Sequence, residues 1–205
     1  MMRARHVAVI AALAGAASIA GTSATARQPA RPAAVSCGVE RWAVKTLSDS
    51  DAERVDFQPR HTTVTTLRRL HPPDRLPKTR IAPVELRTYR LTALLVEAKR
   101  EKDRDIHLVI ADPAHRKRTM IVELPDVACK GPAGSAKRAQ MKSARRHFED
   151  ACGVPSRSHF KRLRGTATIT GVGFFDDLHH QRGVAPNGIE LHPLLSIVSS
   201  SCRPA

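Results

Sequence analysis

Ile106-His107-Leu108-Val109-Ile110-Ala111, the polar run Asp112 to Arg118, and Thr119-Met120-Ile121-Val122-Glu123-Leu124 form the passage on which the fold of this chain turns. Ile106, Leu108 and Ile110 fall on one face of an extended segment and His107 on the other, the period-two alternation of a strand. Asp112-Pro113 opens a basic turn, and Thr119 to Leu124 returns as a second strand. Upstream, Glu85 to Lys99 is rich in Leu, Val, Thr and Tyr and reads as one long strand. Its apolar residues change face partway along, which predicts a bend or bulge. Glu101 to Asp105 is the polar turn that follows it. Downstream, Pro125 to Gly134 breaks the pattern, and Ser135 is a candidate N-cap for a helix through Ala151. Met141, Ala144, Phe148 and Ala151 recur there at helical spacing, and Gly153 suits the stop. Thr166 to Val172 and Ile189 to Val198 supply two further strands, joined by a loop from Phe174 to Asn187. Three strands, a helix and two strands is the order of a five-stranded OB barrel. The expected fold class is therefore mainly β with one principal helix, β-β-β-α-β-β, carrying an N-terminal extension.

The extension has its own signals. Glu40 to Thr46 places Trp42 and Val44 on one face and Arg41 and Lys45 on the other, which predicts a strand. Val64, Leu67 and Leu70 predict a short helix capped by Thr62 or Thr63, ended by His71-Pro72-Pro73. A proline-punctuated connection runs on to Pro83.

The first 26 residues have the parts of a secretory signal: Arg3, Arg5 and His6, the apolar stretch Val7 to Ala20, and Ala24-Thr25-Ala26 before the expected cleavage. The apolar stretch is shorter than the roughly 20 residues of a membrane span, and no later segment approaches that length. The organisation expected is a signal over 1–26, a disordered leader over 27–36, an extension over 37–83 packed on the barrel, and the barrel over 84–202. The mature chain is expected in the periplasm, the cell envelope or the medium. In such an oxidising compartment Cys37, Cys129, Cys152 and Cys202 read as two disulfides rather than a zinc site, with three pairings open.

The formal charge is +15, and removal of Arg3 and Arg5, with no acid, leaves +13. So basic a chain attracts polyanions such as nucleic acid, acidic glycan or an anionic membrane surface. An aromatic content of 3% argues against base stacking as the main mode. In an OB barrel the ligand lies across the second and third strands, gripped by the loop between strands one and two and the loop between four and five. The first of these loops brings Lys99, Arg100, Lys102 and Arg104. The helix adds a basic face of Lys137, Arg138, Lys142, Arg145 and Arg146, opposite its apolar one.

The second loop lies in Gly171 to Pro193, which gathers four of the eleven Gly, three of the ten His and two of the five Phe. Glu190 and His192 are two apart on a strand and share a face, opposite Ile189, Leu191 and Leu195. Asp176, His179 and His180 lie upstream. If the loop folds back, Asp176, His179, Glu190 and His192 would converge as acid-base groups or as ligands for a divalent ion such as zinc or manganese. The structural alternative has Asp176 and His179 anchoring the loop, Asn187-Gly188 making a tight turn, and Pro193 marking an edge or bulge. Asp103, Asp105 and His107 alternate likewise at the start of the second barrel strand. Asp49, Asp51, Glu53 and Asp56 lack the Gly and terminal Glu of a calcium loop. There is no Gly-x-Ser-x-Gly elbow, phosphate-binding Gly-rich loop or His-Glu-x-x-His pair, so the motif-defined enzyme classes find no support.

Glu40-Arg41-Trp42-Ala43-Val44-Lys45-Thr46-Leu47, Asp105 to Val109, Thr119 to Glu123 and Gly171 to Leu195 together resemble a family of secreted bacterial proteins to which no catalytic residues are assigned. The resemblance spans nearly the whole mature chain. The family loop reads His-Gly-Gln-Thr-Gly where this chain has His179-His180-Gln181-Arg182-Gly183, so His180 and Arg182 depart from it. The resemblance implies a Cys37–Cys129 bridge, which leaves Cys152 with Cys202, each contributing roughly 2 to 4 kcal/mol.

Three functions are thus open from sequence. The first is a secreted, disulfide-stapled module binding an anionic polymer, nucleic acid or envelope glycan, through its basic barrel face. The second is a metal-dependent phosphodiesterase or nuclease using the His and carboxylate cluster. The third is a structural envelope protein.

Overall fold

A computed structural model describes residues 35–38 and 40–205. The expected signal over 1–26 and most of the leader lie outside the described residues. At the end of that leader, Val35 forms a parallel bridge to Cys129, so pairing with the domain is already present two residues before Cys37.

The chain folds as a closed five-stranded OB-like barrel. Its strands are β2 (Arg87–Arg100), β3 (Ile106–Ala111), β4 (Thr119–Leu124), β6 (Thr166–Phe175) and β7 (Ile189–Val198). They run in the order β3-β4-β7-β6-β2, and β2 pairs back onto β3 to close the ring. All contacts are antiparallel except β4 with β7, which is parallel. The expected bend in the long strand is a register shift between Leu95 and Glu97, where β2 leaves β6 and turns onto β3. The closed ring is filled by side chains such as Leu91, Ile106, Leu108, Ile110, Met120, Val122, Ile169 and Leu191. Helix α4 (Arg138–Cys152) packs against β7 and adds Ala144, Phe148 and Cys152 to the same core.

Several sequence expectations are corrected here. Glu40 to Thr46 is not a strand: Trp42–Lys45 forms helix α1, with Lys45 N–H donating to the Arg41 carbonyl and the Thr46 hydroxyl returning to the Trp42 carbonyl. Five residues of alternation are too few to outweigh local bonds of that kind. Helix α4 starts at Arg138, because Ser135 spends its hydroxyl on the Lys137 N–H and a short helix, α3 (Lys130–Gly134), precedes it. Arg145 is not on the solvated face. It is buried, and its Nη1 donates to the carbonyls of Arg104 at 3.0 Å and Leu124 at 2.9 Å, tying the helix to the barrel. Of the two positions expected for Pro193, an edge or a bulge, the structure has the bulge, in the interior strand β7. A second bulge at Leu195 turns that side chain out of the ring to pack beside Leu47, Val55 and Val172.

Strands β1 (Asp56–His61), β5 (Lys161–Arg164) and β8 (Arg203–Pro204) were not legible as strands. β1 joins β2 in parallel, while β5 pairs with β2 at Glu97 and Ala98 and carries β8 on its other side. Helix α2 (Val64–Leu67) is capped by Thr63, as expected, and Gly153 ends α4 at φ 78°. The disulfides are Cys37–Cys129 and Cys152–Cys202.

The extension is bound to the barrel through Glu85. Its fully buried carboxylate accepts from Arg41 at both oxygens, from Ile81 N–H and from Phe175 N–H. Arg41 also donates to the carbonyls of Thr79 and Phe175. These donors satisfy both oxygens of the buried carboxylate, which joins α1, the 79–85 segment and the end of β6 at one point.

A candidate acid-base cleft and two cationic depressions

The ladder registers decide which side chains meet. His107 stands opposite Glu123 across β3 and β4, and Ile121 stands opposite Glu190 across β4 and β7. Because Leu108, Val122 and Leu191 point into the ring, His107, Glu123, Glu190 and His192 all stand on its outer face. On a bare barrel that face would be solvated. Here it is covered by α1 and by the loop from Asp176 to Gly188, which leaves Glu190 and His192 only 2% exposed.

The loop is held at its ends. Asp176 N–H donates to the Gly188 carbonyl, and Asn187 Nδ2 donates to the carbonyls of Leu67 and Leu70 in the α2 region. Gly188 takes φ 70° in the expected Asn-Gly turn. Between these anchors lies a cleft of about 520 Å³. Its walls include Trp42 and Lys45 from α1, Glu101 to Asp103, Phe160, and Asp176, His179, Gln181 and Arg182 from the loop, with His107, Glu123 and Glu190 along the strands. It lies between the two loops named as the jaws of an OB ligand site.

Inside and beneath this cleft the polar groups fall into three sets, His107 with Glu123, Glu190 with His192 and Asp105, and Lys45 with Asp176. His107 Nδ1 is 3.0 Å from Glu123 Oε1, and its Nε2 donates to the Arg182 carbonyl at 2.8 Å. With an acceptor on each ring nitrogen, His107 is placed to be a doubly donating imidazolium. Burial opposes its charge most, but Glu123, the Arg182 carbonyl and Glu190 together outweigh it and raise the pKa to about 9. Burial likewise pushes the Glu123 carboxyl up, with His107 pulling it down, and the ion-paired form is the one this geometry favours. Glu123 Oε2 is buried and meets no hydrogen-bond donor among the described residues.

Glu190 is less well partnered. Its nearest cation contact is His192 Nδ1 at 3.8 Å, beyond hydrogen-bond reach. Burial raises its pKa, His192 and Lys45 oppose the rise, and the negative charges of Asp176 and Glu123 add to it. His192 lies beneath the cleft, with Nε2 3.4 Å from Asp105 Oδ2. Burial works against its charge, yet Asp105 and Glu190 raise its pKa to about 9. Lys45 reaches Asp176 at 3.3 Å, and its pKa is raised by Asp176, Glu190 and Glu123 against the cost of burial.

Of the residues expected from sequence, Asp176, Glu190 and His107 line the cleft, and His192 supports Glu190 from below. His179 is on the exposed rim, bonded to Gln181. Among the described residues no three His, Cys, Asp or Glu side chains are disposed to hold a metal ion. Sequence reasoning missed Lys45 and Glu123 as members, while Asp105, noted only for sharing a face with His107, lies beneath the cleft against His192. Glu123 had a signal: residues 107 and 123 are equidistant from the centre of the 112–118 turn, so a hairpin closed there must pair them. Lys45 had none, since its segment read as a strand.

The cations expected to bind polyanions separate into groups. Lys99, Arg100, Lys102 and Arg104 do come together, joined by Arg157, around one depression of about 510 Å³. A second depression, of about 760 Å³, is ringed by Arg116, Arg162, Arg164, Arg182 and Arg203. Each contains one acid already engaged by a cation: Glu101 with Lys99 at 3.2 Å and Glu97 with Arg182 at 2.5 Å. Neither has an aromatic residue in its wall. Lys142 and Arg146 on α4 are exposed and belong to neither depression. The cleft adjoins both, sharing Lys102 with the first and Arg182 with the second.

No family model matches the chain, and no curated protein or solved structure matches it.

Proposed function

We propose that this protein is an exported binding module for an acidic polysaccharide. The observation that carries the reading is the grouping of cations into two depressions, five Lys or Arg in each, of which Lys99 and Arg104 in the first and Arg182 in the second are ion-paired. Guanidinium groups suit sulfate and carboxylate because their planar forks donate in pairs. The aromatic rings near them are few, Phe160 beneath Lys99 and Arg182 and Trp42 in the adjoining cleft, which favours a glycan over single-stranded nucleic acid, a ligand that gains much of its affinity by stacking. Two disulfides are compatible with export to an oxidising compartment, and no helix among the described residues is long and apolar enough to cross a membrane.

Retention on immobilised heparin tests this. Wild type should elute at a salt concentration well above that of a size-matched neutral protein, and R162A/R164A or R100A/R157A should elute earlier. The pair K142A/R146A on α4 should change elution less than either. No retention at low salt would remove the reading. Tighter, stacking-independent binding to duplex DNA through the same arginines would replace glycan by nucleic acid.

A further inference from the structure

We propose that the cleft between Trp42, Phe160 and the 176–182 loop receives a free ammonium group carried by the bound polymer, that of an amino sugar without acetyl or sulfate on its nitrogen, with Glu190 as its ion partner. For the polymer this rests on the binding reading above; for the ammonium it rests on the cleft itself.

The distribution of charge is the first argument. In a chain of formal charge +15, six of the nineteen acids line this one cleft: Glu40, Glu101, Asp103, Glu123, Asp176 and Glu190. Three of them are matched, Asp176 with Lys45 at 3.3 Å, Glu123 with His107 at 3.0 Å and Glu101 with Lys99 at 3.2 Å. Glu40 and Asp103 form no ion pair among the described residues, and Glu190 has only His192 Nδ1 at 3.8 Å, beyond hydrogen-bond reach. Of the lysines and arginines in the lining, Lys45 is engaged by Asp176 and Arg182 by Glu97, which leaves Lys102. Three acids against one cation is a local excess of negative charge in a basic protein.

The second argument is Glu190. Its side chain is 3% exposed and borders the cleft, and no donor reaches its oxygens among the described residues. A buried carboxyl without a donor is costly to keep, and an ammonium entering the cleft supplies a positive charge and three N–H donors. That charge also favours the ionised carboxylate, which burial disfavours. Glu123 takes no part, since His107 holds one of its oxygens and the other is buried.

Placement says what carries the ammonium. The cleft adjoins one cationic depression through Lys102 and the other through Arg182, so positive, negative and positive surface follow one another. A polymer with acid groups on either side of an ammonium matches that order. A uniformly acidic chain meets repulsion in the middle, and a uniformly basic one meets it at both ends. Trp42 and Phe160 give the cleft wall apolar surface for the C–H face of a sugar ring. A metal ion fits less well, because among the described residues no three His, Cys, Asp or Glu side chains are disposed to hold one. Acetylation would remove the charge, and N-sulfation would reverse it. The site should therefore discriminate among forms of one polymer that differ only at nitrogen.

The test uses the full oxidised protein and three heparins: N-sulfated, N-desulfated with a free ammonium, and N-desulfated then N-acetylated. Dissociation constants are measured by calorimetry in neutral buffer of low salt. Net charge alone ranks the ammonium form weakest, since its chain is the least negative. The expected result is that it binds about tenfold tighter than the acetylated form, the scale of one charge-assisted hydrogen bond. In E190Q these two should bind within about twofold of each other, with affinity for the acetylated form unchanged. R162A/R164A should weaken all three forms and keep the preference. Equal or weaker binding of the ammonium form by wild type overturns this inference and leaves the binding reading standing. No binding of any form overturns both. A preference that survives in E190Q overturns the assignment to the cleft. The wild-type comparison decides the inference even where E190Q fails to fold.

Discussion

His107 Nδ1 lies 3.0 Å from Glu123 Oε1, across a ladder in which the two residues are direct partners. The pair sits beneath a covering layer, so its proton is a property of the fold and not of the solvent.

Stability should therefore fall as the medium turns alkaline. His107 and His192 have folded pKa values of about 9 against an ordinary 6.5, so their contribution is full below 6.5 and is lost as pH rises through 9. The raised Glu123 and Glu190 carboxyls act in the same direction, beginning above the ordinary 4.5. The melting temperature should peak in mildly acidic buffer and decline steadily from pH 6.5 to 9. In a proton NMR titration the His107 ring should have its midpoint near 9, and in E123Q it should fall below 7. An unmoved midpoint in E123Q would show that Glu123 is not what holds the proton.

Glu190→Gln should stabilise the protein above neutral pH. The amide keeps the shape of the side chain and removes an ionisable group that burial disfavours. A gain of about 1 kcal/mol, or roughly 2 to 4 °C in Tm at pH 8, is expected to shrink at pH 4, where the carboxyl is protonated. A loss of stability at pH 8 would mean that Glu190 is an engaged structural ion.

Arg145→Ala should cost about 2 to 3 kcal/mol by urea unfolding, because two carbonyls, one of them buried, lose their donor. Lys142→Ala, one turn earlier on the exposed face, should stay within about 0.5 kcal/mol. Equal effects would contradict the docking role of Arg145.

His180→Gly should be mildly stabilising. His180 adopts φ 65°, a left-handed conformation that costs an L-residue roughly 1 to 2 kcal/mol. The freer unfolded chain of glycine returns about 0.4 to 1 kcal/mol of that. A net gain of roughly 0.5 kcal/mol is expected, and His180→Ala should show none.

The strands over 106–111 and 119–124 were legible residue by residue because one face of each enters the ring and imposes alternation. The apolar stripe of α4 was legible for the same reason. β1 and β5 were not, since most of their side chains face solvent and carry charge, which leaves no periodicity to read. The cleft was half visible. Glu190, Asp176 and His107 stood out by residue type, but nothing local says that α1 and the 176–188 loop cover the outer face of the barrel. That second layer turns ordinary outward-facing polar residues into buried ones.

Arg41 and Lys45 are the first flanking residue and the last residue of α1, four positions and about one helical turn apart. Glu85 grips Arg41 at one end of this short rigid lever, and Lys45 swings over the cleft at the other. The aim of the Lys45 ammonium is thus set remotely, by a carboxylate that never touches the cleft. A neutral amide at position 85 would loosen the fulcrum and leave every cleft residue intact, yet misdirect the lysine that faces Asp176.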